Sequence, residues 1–227
     1  MQDISVRFLI MPSDPEDFQI RFNDDFWEWW QSPPTDPFGD SITPFGTHRG
    51  PAADAAVVYE PDHKAGDENR GWREYAGLSR AGEFEFGLTA VGLGSRGDQR
   101  FFFLTNVVGR IWVAASRYAK IVDKFGLTGP FEASLAFVDT KGSILANFAT
   151  GWREPLGNNY FDEHPTCPEN HLLFRREINN WPAAESCEEF VLEFGERRVN
   201  SWRIKESTFL VQSGERQGKF DISRYRG

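Results

Sequence analysis

A chain of 227 residues carrying 21 Phe and 8 Trp can bury a full core without disulfides or a structural metal. Its charged fraction of 26% is ordinary for a globular protein, which excludes wholesale disorder, and a formal net charge of −9 excludes a generally basic protein that coats nucleic acid. Two cysteines, Cys167 and Cys187, have no spacing that demands a bridge and are read as thiols. The N-terminus lacks a basic segment followed by an apolar run, and no stretch approaches the ~20 apolar residues of a membrane span, so the expected location is the cytoplasm.

In chain order, Ile4 to Met11 alternates Ile4, Val6, Phe8 and Ile10 with polar neighbours, the period of a half-buried strand, and Pro12 and Pro15 end it. The stretch QIRFNDDFWEWWQSPP predicts a short helix capped by Asn23 or Asp24, carrying Phe26, Trp29 and Trp30 and stopped by Pro33 and Pro34. Thr35 to Pro51 has no periodicity and is expected to be a surface loop. Ala55 to Tyr59 is a short strand. Trp72 to Ser79 and Glu83 to Val91 flank the turn Arg80-Ala81-Gly82 and predict a hairpin with one dry and one wet face. After the loop GLGSRGD, Arg100 to Leu104 is strand-like.

Asn106 to Phe125 is the long helix of the chain. At 100° per residue, Val107, Val108, Ile111, Trp112, Ala114, Ala115, Tyr118, Ala119, Val122 and Phe125 form one broad face, and Arg110, Arg117, Lys120 and Lys124 lie opposite. Gly126 suits the left-handed position after a helix and Pro130 blocks continuation. Phe131 to Val138 and Ser143 to Phe148, joined by a turn at Asp139 to Gly142, predict a second hairpin. Gly151 to Asn170 reads as loop and Leu172 to Ile178 as strand. Ala183 to Arg198 is a second helix near the C-terminus, with Cys187, Phe190, Val191 and Phe194 on one face. Thr208 to Val211 reads as a last strand. The organisation expected is one α+β domain over 1–212, a mainly antiparallel sheet with the long helix packed across it, and a polar tail over 213–227.

Gly92-Leu93-Gly94-Ser95-Arg96-Gly97 matches G-x-G-x-x-G, but a strand follows it rather than the helix N-terminus a pyrophosphate needs, so it is read as a connection. His164, Cys167 and His171, with Asp162, Glu163 and Cys187 nearby, offer ligand types without the paired spacing of a zinc site. The pairs Asp24-Asp25, Glu83 with Glu85, and Glu188-Glu189 read as solvated carboxylates. No catalytic residue, metal or cofactor is assigned.

Together, RFLIMPSDP, LSRAGEFEF, a long helix closing in GLTGP, and FEASLAFVD resemble the region that follows the Schlafen-like AlbA domain in some bacterial proteins, over roughly residues 1–210. The resemblance implies an accessory region of nucleic-acid-binding proteins. The AlbA domain itself is expected to be absent, and no catalytic residues carry across. Three functions stay open. The first is a non-enzymatic binding or assembly subunit, joining a protein partner or copies of itself through the aromatic surface Phe26, Trp29 and Trp30 or through the 35–51 loop. The second is a nucleic-acid-binding accessory using the helix face Arg110, Arg117, Lys120 and Lys124. The third is an enzyme with a Cys/His or metal site in the 162–171 loop.

Overall fold

The computed structural model describes residues 4–15, 20–32, 46, 48–61, 72–89, 93–96, 99–149, 152–155, 166–191 and 193. Eleven strands among them form two sheets. The larger is built from β1 (Ser5–Pro12), β2 (His48–Ala52), β3 (Ala55–Pro61), β4 (Trp72–Ser79), β5 (Phe84–Thr89), β8 (Phe131–Val138) and β11 (His171–Ile178), in the spatial order β11-β8-β1-β5-β4-β3-β2, antiparallel throughout. The smaller joins β6 (Leu93–Arg96), β7 (Gln99–Phe103), β9 (Ile144–Ala149) and β10 (Trp152–Pro155) in the order β10-β9-β7-β6, with β7 and β9 parallel. This is the α+β class expected.

Alternation decides which side of the large sheet is dry. Val6, Phe8 and Ile10 of β1, Phe84, Phe86 and Leu88 of β5, Ala76 and Leu78 of β4, and Leu135 and Phe137 of β8 all lie in the core. Against them packs α2 (Leu104–Phe125), a 22-residue helix two residues longer at its start than the periodicity indicates. Gly126 takes φ +64° immediately after it, a conformation glycine adopts without a Cβ penalty. Tyr118, fully buried near the middle of α2, meets Phe84, Phe131 and Trp181, the last edge-on at 4.9 Å. Its hydroxyl donates to the Gly82 carbonyl in the β4–β5 turn at 3.1 Å. From the other side, the Trp181 ring N–H donates to the Ala115 carbonyl and the Ser116 hydroxyl to that of Ala184.

Helix α1 (Asp24–Gln31) covers the C-terminal half of α2. Asn23 caps it, its side chain accepting from the Phe26 N–H at 3.0 Å, and Asp24 and Asp25 sit in the first turn where the helix dipole favours negative charge. A 3-10 turn at Ala184–Ser186, continuing as helix over 187–191, closes the core near β1 through Phe190, whose ring lies 6.2 Å from Phe8.

Four expectations are corrected. Strands β8 and β9 form no hairpin: β8 pairs with β1 and β11, and β9 pairs with β7 and β10, because the turn Asp139–Gly142 sends the chain from one sheet into the other. The Arg100 guanidinium fixes that crossing by donating to the carbonyls of Asp139 and Lys141. The end of the 35–51 loop, from His48, belongs to the edge strand β2 (His48–Ala52). Leu93–Arg96, inside the glycine-rich connection, pairs with β7 as strand, and Trp152–Pro155 in the predicted 151–170 loop is strand β10. The sequences lack apolar alternation here, so only pairing reveals the strands. The proposed strand 208–211 and the 213–227 tail lie outside the described residues.

Tyr118→Phe removes the bond to the Gly82 carbonyl and leaves a buried acceptor without its donor. The expected loss is about 1–2 kcal/mol, read as a lower urea midpoint at unchanged m-value.

Candidate functional site

The four basic residues of α2 do not share a solvent-facing stripe. Arg117 is only 6% exposed. Its guanidinium carbon stands 4.3 Å from the centre of the Trp29 ring and 5.4 Å from that of Trp30, and one nitrogen reaches both the Trp29 and Trp30 carbonyls at 3.4 Å. Those carbonyls belong to the last turn of α1, where helix acceptors lack intrahelical donors and the dipole is negative. Helix α1 has no basic residue in that turn. Arg117 supplies the charge from the neighbouring helix, and enclosure pushes its pKa down to about 10 through desolvation. Lys124 is exposed and lies over the Trp29 ring at 5.2 Å, and Lys120 is half-buried.

The predicted aromatic surface is also largely internal. Phe26 and Trp30 are core residues, stacked 5.9 Å apart, and Trp29 is half-buried between Arg117 and Phe125. The physical reason is common to both corrections: the aromatic side of α1 and the basic side of α2 cover each other, ring against cation.

Arg110 faces the sheet. Its guanidinium is 3.5 Å from Glu74, a carboxylate on the core side of β4 that is 5% exposed. Glu60 lies directly across the β3–β4 ladder from Glu74. Burial raises the Glu74 pKa to about 7, aided by Glu60 and opposed by Arg110 and Arg73. Arg110 is therefore the counter-ion of an enclosed acid.

The Cys/His reading finds no assembled chemistry among the described residues. Cys167 and Cys187 are buried thiols not joined in a disulfide. The Cys167 thiol donates to the Glu169 carbonyl, while the exposed His171 ring contacts Asn170. Residues 162–165 lie outside the described set. No group of three or more potential metal ligands occurs among the described residues. No helix there is long and apolar enough to cross a membrane.

What the structure does assemble is the other face of the large sheet. The described helices pack on the core side, and the residues out of phase with the core form a continuous cross-strand row: His48, Tyr59, Tyr75, Gly87, Arg7, Ala136 and Leu173, one from each of seven strands. His48 stacks on Tyr59 with ring centres 5.4 Å apart. The Tyr75 ring lies across Gly87, where a Cβ would stand 2.0 Å from it, and its hydroxyl donates to Glu85 at 2.5 Å. Arg7, 65% exposed, lies 4.0 Å from the same Glu85 oxygen. Arg175 and Glu132 make a similar contact on the far strands. Leu173 is 57% exposed, the exposed large hydrophobic among the described residues. Alternation alone signals that Arg7 and Glu85 point away from the core, but their alignment with Tyr75 and Leu173 depends on register. Compared with family models, curated proteins and solved structures, the chain has no match among any of them.

Substitutions at Arg117, Lys124 and Glu74 test this assignment of charges. Arg117→Ala is expected to cost about 2–3 kcal/mol in urea denaturation, with Arg117→Lys failing to restore it, whereas Lys124→Ala stays within about 0.5 kcal/mol. For Glu74, a native pKa of about 7 against the ordinary carboxyl value of 4.5 means that the folded state holds the proton more tightly. Stability therefore falls as pH rises from 4.5 through 7, by on the order of 3 kcal/mol. Glu74→Gln removes that slope, which thermal melts from pH 4.5 to 8 read directly.

Proposed function

We propose that this protein is a non-enzymatic binding subunit that contacts another protein through the open face of its seven-stranded sheet. The observation that carries this reading is the cross-strand row itself, in which three ring-bearing residues, a cation and an exposed leucine line up on a rigid surface. Aromatic residues and arginine are the side chains that interfaces favour, because they bury much area at low entropic cost. A sheet packed on one side by α2 holds them without further ordering.

The basic helix face supports the nucleic-acid reading less well. Arg117 is committed to α1 and Arg110 to Glu74, leaving Lys124 as the exposed cation of the four against a chain charge of −9. The proposed setting is the cytoplasm, where Cys167 and Cys187 remain thiols.

A photo-crosslinking amino acid placed at Leu173 in cells is expected to give polypeptide adducts, and the same residue placed at Asp123 on the exposed side of α2 is expected to give none. Absence of any polypeptide adduct at Leu173, or adducts to nucleic acid alone, would overturn the reading.

A further inference from the structure

We infer that the binding part of the open face is the strip formed by β1, β8 and β11, and that its occupant is a cationic amphipathic helix of another protein. This rests on the open face being a protein-binding surface. The face is not uniform. On β3 and β5, Val57 and Gly87 are buried, and the Tyr75 ring fills the space above Gly87. On β1, β8 and β11, which are neighbours at one side of the sheet, every residue out of phase with the core over 5–11, 132–138 and 171–177 is exposed or half-buried.

The register makes the apolar positions of this strip contiguous. Leu9 and Met11 lie along β1, Ala136 and Val138 along β8, and Leu173 stands directly across the ladder from Ala136. The strip's own cations are already matched, since Arg7 and Arg175 each lie 4.0 Å from a carboxylate, Glu85 and Glu132 respectively. Its acids are not. Glu177 faces Glu132 across the β8–β11 ladder, and among the described residues no cation pairs with Glu177. Like charges directly opposite each other on one face repel. A partner cation set between them removes that cost, and the chain charge of −9 draws such a partner in. A helix that enters with its N-terminus over the two carboxylates adds the positive end of its dipole.

Size selects a helix over a folded domain. Three strands of 8 residues, about 4.8 Å apart with a rise of about 3.4 Å per residue, give a strip roughly 14 Å wide and 27 Å long. That is about half the ~800 Å² that one partner contributes to a standard interface. A helix with its side chains is about 10–12 Å across, and about 18 residues of it cover the length. An extended peptide would instead add to a sheet edge through main-chain bonds and leave this face uncovered.

The probe is a peptide of about 18 residues made of leucine and lysine, with the leucines on one helical face. It is expected to bind the full chain with a Kd of about 10 μM or tighter at 150 mM salt. A peptide of the same composition with the leucines spread around the helix, and a leucine–glutamate counterpart, are each expected to bind at least about tenfold more weakly. Leu173→Asp weakens the leucine–lysine peptide at least about tenfold and Glu177→Lys about fivefold, while Asp123→Lys, an equal charge change on the exposed side of α2, stays within about twofold. Each variant keeps the circular dichroism and melting temperature of the parent. Equal affinity for the three peptides, or binding that Leu173→Asp leaves unchanged, overturns the helix on this strip. In cells, photo-crosslinks from position 173 that map to a basic segment with apolar residues at i, i+3, i+4 and i+7 support it. Crosslinks to a second copy of this chain, or to an acidic or non-amphipathic segment of another protein, overturn it and leave the protein-binding reading standing. Absence of any polypeptide adduct overturns both.

Discussion

The rest of the structure follows from having to enclose α2 on every side. Between Val107 and Ile121 only Arg110 and Lys120 escape full burial. A helix apolar around most of its circumference cannot lie on a sheet with its back to water. It needs a second and a third cover, and the chain supplies them from distant segments: β9 of the small sheet, α1 from near the N-terminus, and the 181–191 segment. Tyr118 and Arg117 are neighbours in sequence yet serve opposite covers, one bonded to the β4–β5 turn and the other to the end of α1.

That enclosure sets the placement of charge. Arg117 enters the interior because α1 ends there with the carbonyls of its last turn and two indole rings, and a planar guanidinium meets both without a carboxylate. Arg110 instead meets Glu74, and the resulting pair is less comfortable: the carboxylate is desolvated, a second glutamate stands opposite, and its proton affinity rises accordingly. The two arginines sit seven residues apart on one helix, and their environments differ because one faces a helix end and the other a strand.

The fold was legible in the sequence wherever a local pattern determines structure. Alternation in β1, β5 and β8, the Asn23 cap, the Arg80–Gly82 turn and the stop at Gly126 all appear where residue chemistry places them. Partner choice was not legible. Phe131–Val138 and Ile144–Ala149 read as a hairpin because they are adjacent and separated by a good turn, and nothing local says that Arg100 clamps that turn and divides the strands between two sheets. The basic stripe misleads for a related reason, since a polar side chain need not face solvent. Val113 and Ile121 fall among Arg110, Arg117, Lys120 and Lys124 on the same side of the helix, and that interleaving was the available sign of cover. The open-face row was invisible because it consists of single residues from seven strands, aligned only by register.

The same physics explains why surface chemistry ends up on the open face of the large sheet. Enclosing α2 consumes the core sides of both helices and of the large sheet, along with most of the aromatic residues that could have served a partner. What remains on a rigid element is the out-of-phase set of the seven strands, and its character is fixed by the core it backs onto. Each buried Phe or Leu on β1, β5 and β8 has neighbours in its own strand that must point the other way, so a flat, well-supported surface is a by-product of the core. Solvent alone would favour a charged row along it. The chain instead places Tyr59, Tyr75 and Gly87 near its centre, with the Tyr75 ring over the glycine and Arg7, Ala136 and Leu173 on the strands to one side.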